Sequence, residues 1–387
     1  MIISKLENGI TFAYIKTSNK YCSVLIGANA GYAYDPPRKI SLTHLYEHIF
    51  LGMLNKLYGF DNQLENLGFT SNGETGKNYI ELYFENYSKN LYKNFTSIKN
   101  LINNFSVSKD VFDAESKALI NEVSDYYADE YNLICDISEA KCFNHKENKR
   151  YEPKRLKLEI SLLDVLKWHT RIFSKNNIVV IISGKINKSE YNSIKDILSK
   201  ISLFDAKILP NEKSKNLIPN IKTKKDYGVI GFNVSNPTVN DFACEKILEN
   251  IYVNYDDGII FNLVRNKNTL SYGAYHHGSF GIGERVFEFI FRSPDKTELK
   301  KLIARLKVSA ALIRQNRTDF KRGIRRAIIQ EYKLAEGPME YLQEIYYTYA
   351  ACGKLVDLKG MINYISSINY KVYKLWIKRL KRKIFII

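Results

Sequence analysis

The chain has 387 residues, with 58 lysines and arginines against 41 aspartates and glutamates, a net charge of +17 and 45% hydrophobic residues. That length and apolar content fit two globular domains of about 190 residues each rather than one core. No apolar run approaches the roughly 18 residues a membrane span needs, so no segment is expected to cross a bilayer.

Cys22, Cys135, Cys142, Cys244 and Cys352 never form C-x-x-C and read as reduced thiols. The first ten residues lack a basic start, a long apolar core and a small-residue cleavage site, so a cytoplasmic location is expected. Basic residues are spread along the chain beside abundant Lys, Asn, Ile and Tyr. This reads as compositional bias, and no nucleic-acid partner is expected. The one dense basic cluster, Lys378-Arg379-Leu380-Lys381-Arg382-Lys383, reads as the charged C-terminal end of a helix.

Residues 10 to 15 and 22 to 30 have the composition of two strands, expected as a hairpin turning at Thr17-Ser18-Asn19-Lys20. A loop stiffened by Asp35-Pro36-Pro37 leads to a helix with Ser41 as its cap. Leu42, Leu45, Ile49, Met53 and Leu57 recur along it at three- and four-residue steps until Gly59. His44 and His48 lie one turn apart on the other face, with Glu47 beside the second. Two imidazoles at i and i+4 can hold one zinc ion, and a neighbouring carboxylate that is not a ligand can take a proton from the attacking water. The order H-x-x-E-H inverts the commoner H-E-x-x-H. A bland alternative is that both histidines merely pack or cap a surface helix.

A hydrolytic zinc site usually has three protein ligands, so another donor is needed. Residues 78 to 84 alternate as a strand, and 89–104 and 108–130 read as helices. The second of these helices carries Glu115 and Glu122, two turns apart and facing the same way. The segment 131–155 is polar and is assigned to no element. A helix over 160–173 holding Trp168 precedes an apolar strand over 177–184. The same order returns at 370–381, which holds Trp376, and at 384–387. Two divergent copies of one unit are therefore expected: residues 1–207 and 223–387, joined by a proline-punctuated linker over 208–222. The second copy has a strand over 227–234 and a helix over 239–252. His276 and His277 follow as surface residues of a strand, and 296–365 is helix-rich. Each copy should be an antiparallel-rich sheet with helices on one face, an α+β fold.

With His44, Glu47 and His48 in this order and Glu122 falling 74 residues after His48, the chain resembles the pitrilysin/insulinase-type (M16) zinc metallopeptidases. The resemblance implies tandem homologous domains, with His44, His48 and Glu122 as zinc ligands, Glu47 as general base and Glu115 as supporting acid. Asn72-Gly73-Glu74-Thr75 stands where the family has Asn-Ala-x-Thr on an edge strand that pairs with the substrate backbone. Here Gly73 replaces the alanine. Such an edge offers free N–H and C=O groups to an extended peptide. Arg265 and Tyr272 stand where the family has an Arg and a Tyr that stabilise the tetrahedral intermediate, with Thr269 where glycine is usual. The implied activity is a zinc-dependent endopeptidase acting on extended peptides, by analogy precursors or leader peptides. Two-domain units of the family pair into a clamshell, so a homodimer or a heterodimer with a related subunit is expected. The alternatives are a subunit that is inactive without its partner and a basic binding scaffold without catalysis.

Overall fold

Seven consecutive apolar or small residues, Ile178–Gly184, are all buried and present no polar face to water. Such a strand needs neighbours on both edges and cover on both faces, and the first half of the chain supplies them. The computed structural model describes residues 1–36, 38–57, 70–143, 148–151, 159–207, 216–219, 223–266, 274–281, 283–293, 295–308 and 315–387. They fall into two units that interleave along the chain. The first comprises Met1–Glu122, Lys157–Ser214 and Gly337–Ala350; the second comprises Val123–Leu156, Lys215–Glu336 and Ala351–Ile387.

In chain order the first half contains β1 (Ile2–Lys5), β2 (Thr11–Lys16), β3 (Tyr21–Ala28), α1 (Leu42–Leu57), β4 (Thr70–Thr75) and β5 (Ile80–Tyr87). Then come α2 (Leu91–Asn103), α3 (Lys109–Tyr126), α4 (Glu130–Cys142), β6 (Asn148–Tyr151), α5 (Leu162–Ile172), β7 (Ile178–Gly184) and α6 (Lys188–Ser199). The first unit's sheet runs β1-β2-β7-β3-β5-β4. β2 and β3 are not a hairpin: β7 lies between them, parallel to β2 and antiparallel to β3, because its wholly apolar surface claims the centre of the sheet. Within the polar segment that the sequence left unassigned, Glu130–Cys142 form α4.

The second half contains β8 (Asn216–Pro219), β9 (Asp226–Ser235), α7 (Val239–Tyr252), α8 (Ile259–Phe261), β10 (Ala274–Gly281), β11 (Glu284–Ser293) and α9 (Lys296–Val308). It continues with α10 (Arg317–Leu334), α11 (Pro338–Cys352), α12 (Leu358–Ser367), α13 (Tyr370–Arg379) and β12 (Lys381–Ile386). The second unit's sheet is antiparallel in the order β10-β11-β9-β12. Of the segment read as a linker, Asn216–Pro219 form a strand that pairs with β6; residues 208–215 and 220–222 lie outside the described residues. Among the described residues no helix is long and apolar enough to cross a membrane.

The repeat is visible in side-chain detail. Trp168 Nε1 donates to Thr43 Oγ1 on α1 at 3.1 Å, and Trp376 Nε1 donates to Asp241 Oδ1 on α7 at 2.9 Å. In the first sheet Gly27, Glu81 and Glu74 form one cross-strand row; in the second, Gly231, Glu288 and His277 form the matching row. Both glycines make room for a helix side chain. The Tyr346 ring of α11 occupies the space a Cβ at Gly27 would need, and Cys142 Sγ of α4 does the same at Gly231. Helices therefore cover both faces of each sheet, not one, and the covering helix on this second face comes from the other half of the chain.

Charge is unevenly divided. The first unit has 22 lysines and arginines against 20 aspartates and glutamates, and the second has 36 against 21. Acidic residues are shared equally, so the basic excess is a property of the second unit and not of the chain at large.

Candidate metal centre

Helix α1 is placed by its buried stripe of Leu42, Leu45, Ile49 and Met53. Its start is held by Asp35, whose Oδ1 accepts from Thr43 N at 3.0 Å and Thr43 Oγ1 at 2.7 Å. Asp35 thus does the work expected of Ser41, which sits at a φ of 65°. On the opposite face the rings of His44 and His48 lie 4.9 Å apart.

Helix α3 lays its two glutamates along this face. Glu122 Oε2 is 2.9 Å from His48 Nε2, and Glu122 Oε1 is 3.4 Å from His44 Nε2. One donor atom each from His44, His48 and Glu122 lies within 4.8 Å of the others, the one such group of three found among the described residues. Two imidazoles and a carboxylate suit a borderline-soft divalent ion and leave a position open for a reactant. Glu115 Oε2 approaches the other nitrogen of His48, Nδ1, at 3.6 Å, where it can orient the ring. Gly52, one turn beyond His48, permits this, since a Cβ there would stand 2.6 Å from Glu115 Oε1. Burial and then the neighbouring His44 lower the His48 pKa, while the hydrogen bond with His44 chiefly holds Glu122 below its ordinary value.

Glu47 turns away from this donor set, toward β4, and is only 5% exposed. Thr75 Oγ1 donates to its Oε2 at 2.5 Å. Burial pushes Glu47 up to about 7, against the opposing pull of His44 and the Thr75 hydrogen bond. A carboxyl poised there suits proton transfer near neutral pH. Gly73 lies on the same face as Thr75, and a Cβ at Gly73 would meet Glu47 Cγ and Oε1 at 2.8 Å. Gly73→Ala should therefore displace Glu47 and reduce turnover about tenfold with unchanged metal affinity, because small misplacements of a reacting group are costly. Parallel kcat measurements and metal titrations of the variant would show whether this holds.

Among the described residues β4 is the terminal strand of its sheet, with Asn72 and Glu74 exposed. Asn72 Oδ1 accepts from Gly73 N at 2.9 Å. Glu74 faces α11, accepting from Tyr79 and, at 3.1 Å, from Tyr347. Arg265 belongs to the second unit, in a wide, π-helical turn over Asn262–Asn266, with its guanidinium 5.2 Å from the Phe261 ring. Tyr272 and Thr269 lie outside the described residues.

The second unit carries a transformed counterpart of the centre. Matching Thr43 to Asp241 through the two tryptophans sets His44 against Phe242, Glu47 against Glu245 and His48 against Lys246. Arg285 grips Glu245 with two bonds of 3.0 and 2.7 Å, and despite its burial holds it down at about 2. His276 Nε2 adds a contact of 3.2 Å to Glu245, and Lys246 pairs with Glu331 at 2.8 Å. Fixed cations replace metal donors here. His276 and His277 are correspondingly not surface residues but half-buried, facing Glu245 and Glu139.

Comparison with known proteins agrees with this architecture. The family described as Insulinase (Peptidase family M16) matches residues 11–154, and the Peptidase M16 inactive domain matches residues 159–326. Mitochondrial-processing peptidase subunit beta of Rattus norvegicus is 21% identical over 192 residues, 49% of this chain and 39% of that protein. The chain thus spans well under two thirds of the length of that relative. Among solved structures, a protease from Helicobacter pylori has a TM-score of 0.73 at 15% identity, covering 100% of this chain and 98% of that one. A peptidase M16 inactive domain from Pseudomonas fluorescens has a TM-score of 0.72 at 13% identity, covering 100% and 97%. With family matches running in order across both halves, the chain belongs to the M16 peptidase family.

Proposed function

We propose that the chain is a zinc-dependent endopeptidase acting on extended peptides, in the cytoplasm. The observation that carries this is Glu47: a buried carboxyl beside the three-donor set but outside it, held by Thr75. A purely structural zinc site would usually be closed by a fourth ligand and has no use for such a group. His44, His48 and Glu122 would hold the ion, which when bound supplies a Lewis acid that acidifies water and polarises the scissile carbonyl. Glu47 accepts the proton of the attacking water and returns it to the leaving amine. Glu115 keeps the His48 ring in place. The open edge of β4, Asn72 to Thr75, aligns an extended backbone by main-chain pairing, with little demand on side chains. Residues 1–207 supply these parts; Arg265 and Tyr272, in residues 223–387, are by the family resemblance the donors to the developing oxyanion, whether from this chain or from a paired subunit.

A second reading, that a related subunit is needed for activity, is favoured by the relative described as a subunit beta. Homodimer and heterodimer both belong to the proposal, as does precursor or leader-peptide processing. The test is digestion of a mixed peptide library by the purified chain, followed by mass spectrometry, before and after zinc removal. Internal cleavages should vanish on chelation and return with zinc. A zinc-loaded chain that cuts nothing, alone or with a related subunit added, would overturn the proposal.

A further inference from the structure

The basic excess of the second unit is concentrated at its C-terminal end. After Asp357 the chain has no carboxylate side chain, yet it carries Lys359, Lys371, Lys374, Lys378, Arg379 and the Lys381-Arg382-Lys383 run. Helix α13 buries Tyr373 and Trp376 in the core, which turns the opposite face outward. That face presents Lys371, Lys374, Leu375, Lys378 and Arg379, spaced at i, i+3, i+4, i+7 and i+8, as one continuous stripe. Leu375 is 53% exposed within it and Val372 is 46% exposed at its flank. None of the stripe's cations forms an ion pair among the described residues, although exposed lysines elsewhere, such as Lys296, Lys301 and Lys200, do.

The stripe continues onto α10. Tyr370 lies under two cations, Lys374 at 5.5 Å and Arg317 at 5.8 Å, and Lys321 follows Arg317 by one turn on the exposed side. Lysine is shared almost evenly, 20 in the first unit and 23 in the second, so the difference between the units is arginine, 2 against 13. Cations without carboxylate partners gathered on one face suit a polyanion, and the exposed aliphatic side chains among them select its kind. A leucine amid lysines can enter the acyl boundary of a bilayer while the ammonium groups reach the headgroups. It has no corresponding role along a phosphate backbone, which is read by charge and by stacking aromatics. We propose that the α13 face, extended by the N-terminal turns of α10, is a peripheral docking surface for an anionic lipid bilayer. It lies on the second unit and is independent of the peptidase reading.

The experiment is co-sedimentation of the full chain with phosphatidylcholine vesicles, with and without phosphatidylglycerol. Binding is expected only when phosphatidylglycerol is present, and it should weaken as salt rises. The double variant Lys374→Glu/Lys378→Glu should lose about tenfold or more in affinity, and Leu375→Ser, with the charge unchanged, about fivefold. A control, Lys167→Glu/Lys188→Glu on the first unit, should bind like the parent, and circular dichroism would verify folding of all three. Absence of binding, equal binding to neutral vesicles, or equal losses in the control would overturn the proposal. So would tight binding of a labelled oligonucleotide with none of the lipid, which would reassign the face to a polynucleotide.

Discussion

Glu47→Gln is expected to reduce peptide hydrolysis by about a thousandfold or more while zinc stays bound. The donors His44, His48 and Glu122 are untouched by the substitution, and the glutamine can still accept the Thr75 hydroxyl through its amide oxygen. What it cannot do is take a proton. A residue that was instead a ligand, or only a packing group, would behave differently. Loss of a ligand would weaken zinc binding in step with activity, and loss of packing would lower stability with activity falling only in proportion. Zinc content after dialysis, thermal unfolding and cleavage rate, measured on the same preparation, separate these cases. Retention of more than about a tenth of the parent rate would remove Glu47 from the proton-transfer role, since general-base contributions are rarely so small.

The second large effect is on stability. Glu81 is fully buried at the centre of the row behind β4. Its Oε1 accepts from Gln343 at 2.5 Å and from Tyr347 at 3.5 Å, while its Oε2 has no hydrogen-bond partner among the described residues. Glu74 faces it directly across the strand pair, with the Tyr79 hydroxyl bound to Glu74 and Glu47 acting more weakly from α1. Burial, and then the charge of Glu74, push Glu81 from an ordinary 4.5 up to about 8. A raised carboxyl pKa means that folding favours the protonated form. The contribution is complete below about pH 4.5 and is lost as the pH climbs through about 8. Glu81→Gln keeps the acceptor for Gln343 and removes the titration. The variant should match the parent near pH 4 and exceed it progressively above, by roughly 4 kcal/mol at the alkaline end, or several degrees in melting temperature. Parallel melting curves for the two proteins that keep a constant separation from acid to alkaline pH would rule this out. Glu288, raised to about 7 in the matching row of the second sheet, should show a smaller effect of the same sign.

Helical geometry is local, so the spacing of His44, Glu47 and His48 puts three polar groups on one face of α1 whatever the tertiary structure. The paired tryptophans marked two copies for a similar reason: each belongs to a short helix and the strand beside it. Strand order was not local. Ile178–Gly184 took the place between β2 and β3 that a hairpin reading had closed, because a strand without a polar face can be accommodated only in the middle of a sheet. The exchange of α4 and α11 between the units was equally hidden, since a helix periodicity states which face is buried but not against what.

The amino-acid sequence by itself determined most of the helices, their polar faces, the two copies and the total charge. Only the tertiary structure decided that Glu122 meets the histidines of α1, that Gly73 leaves room for Glu47, that fixed cations stand at the equivalent place in the second unit, and that the basic excess gathers on one unit. The physical reason is the range of the forces involved: backbone periodicity acts over a few residues, whereas burial and charge pairing depend on neighbours that the chain brings together from far away.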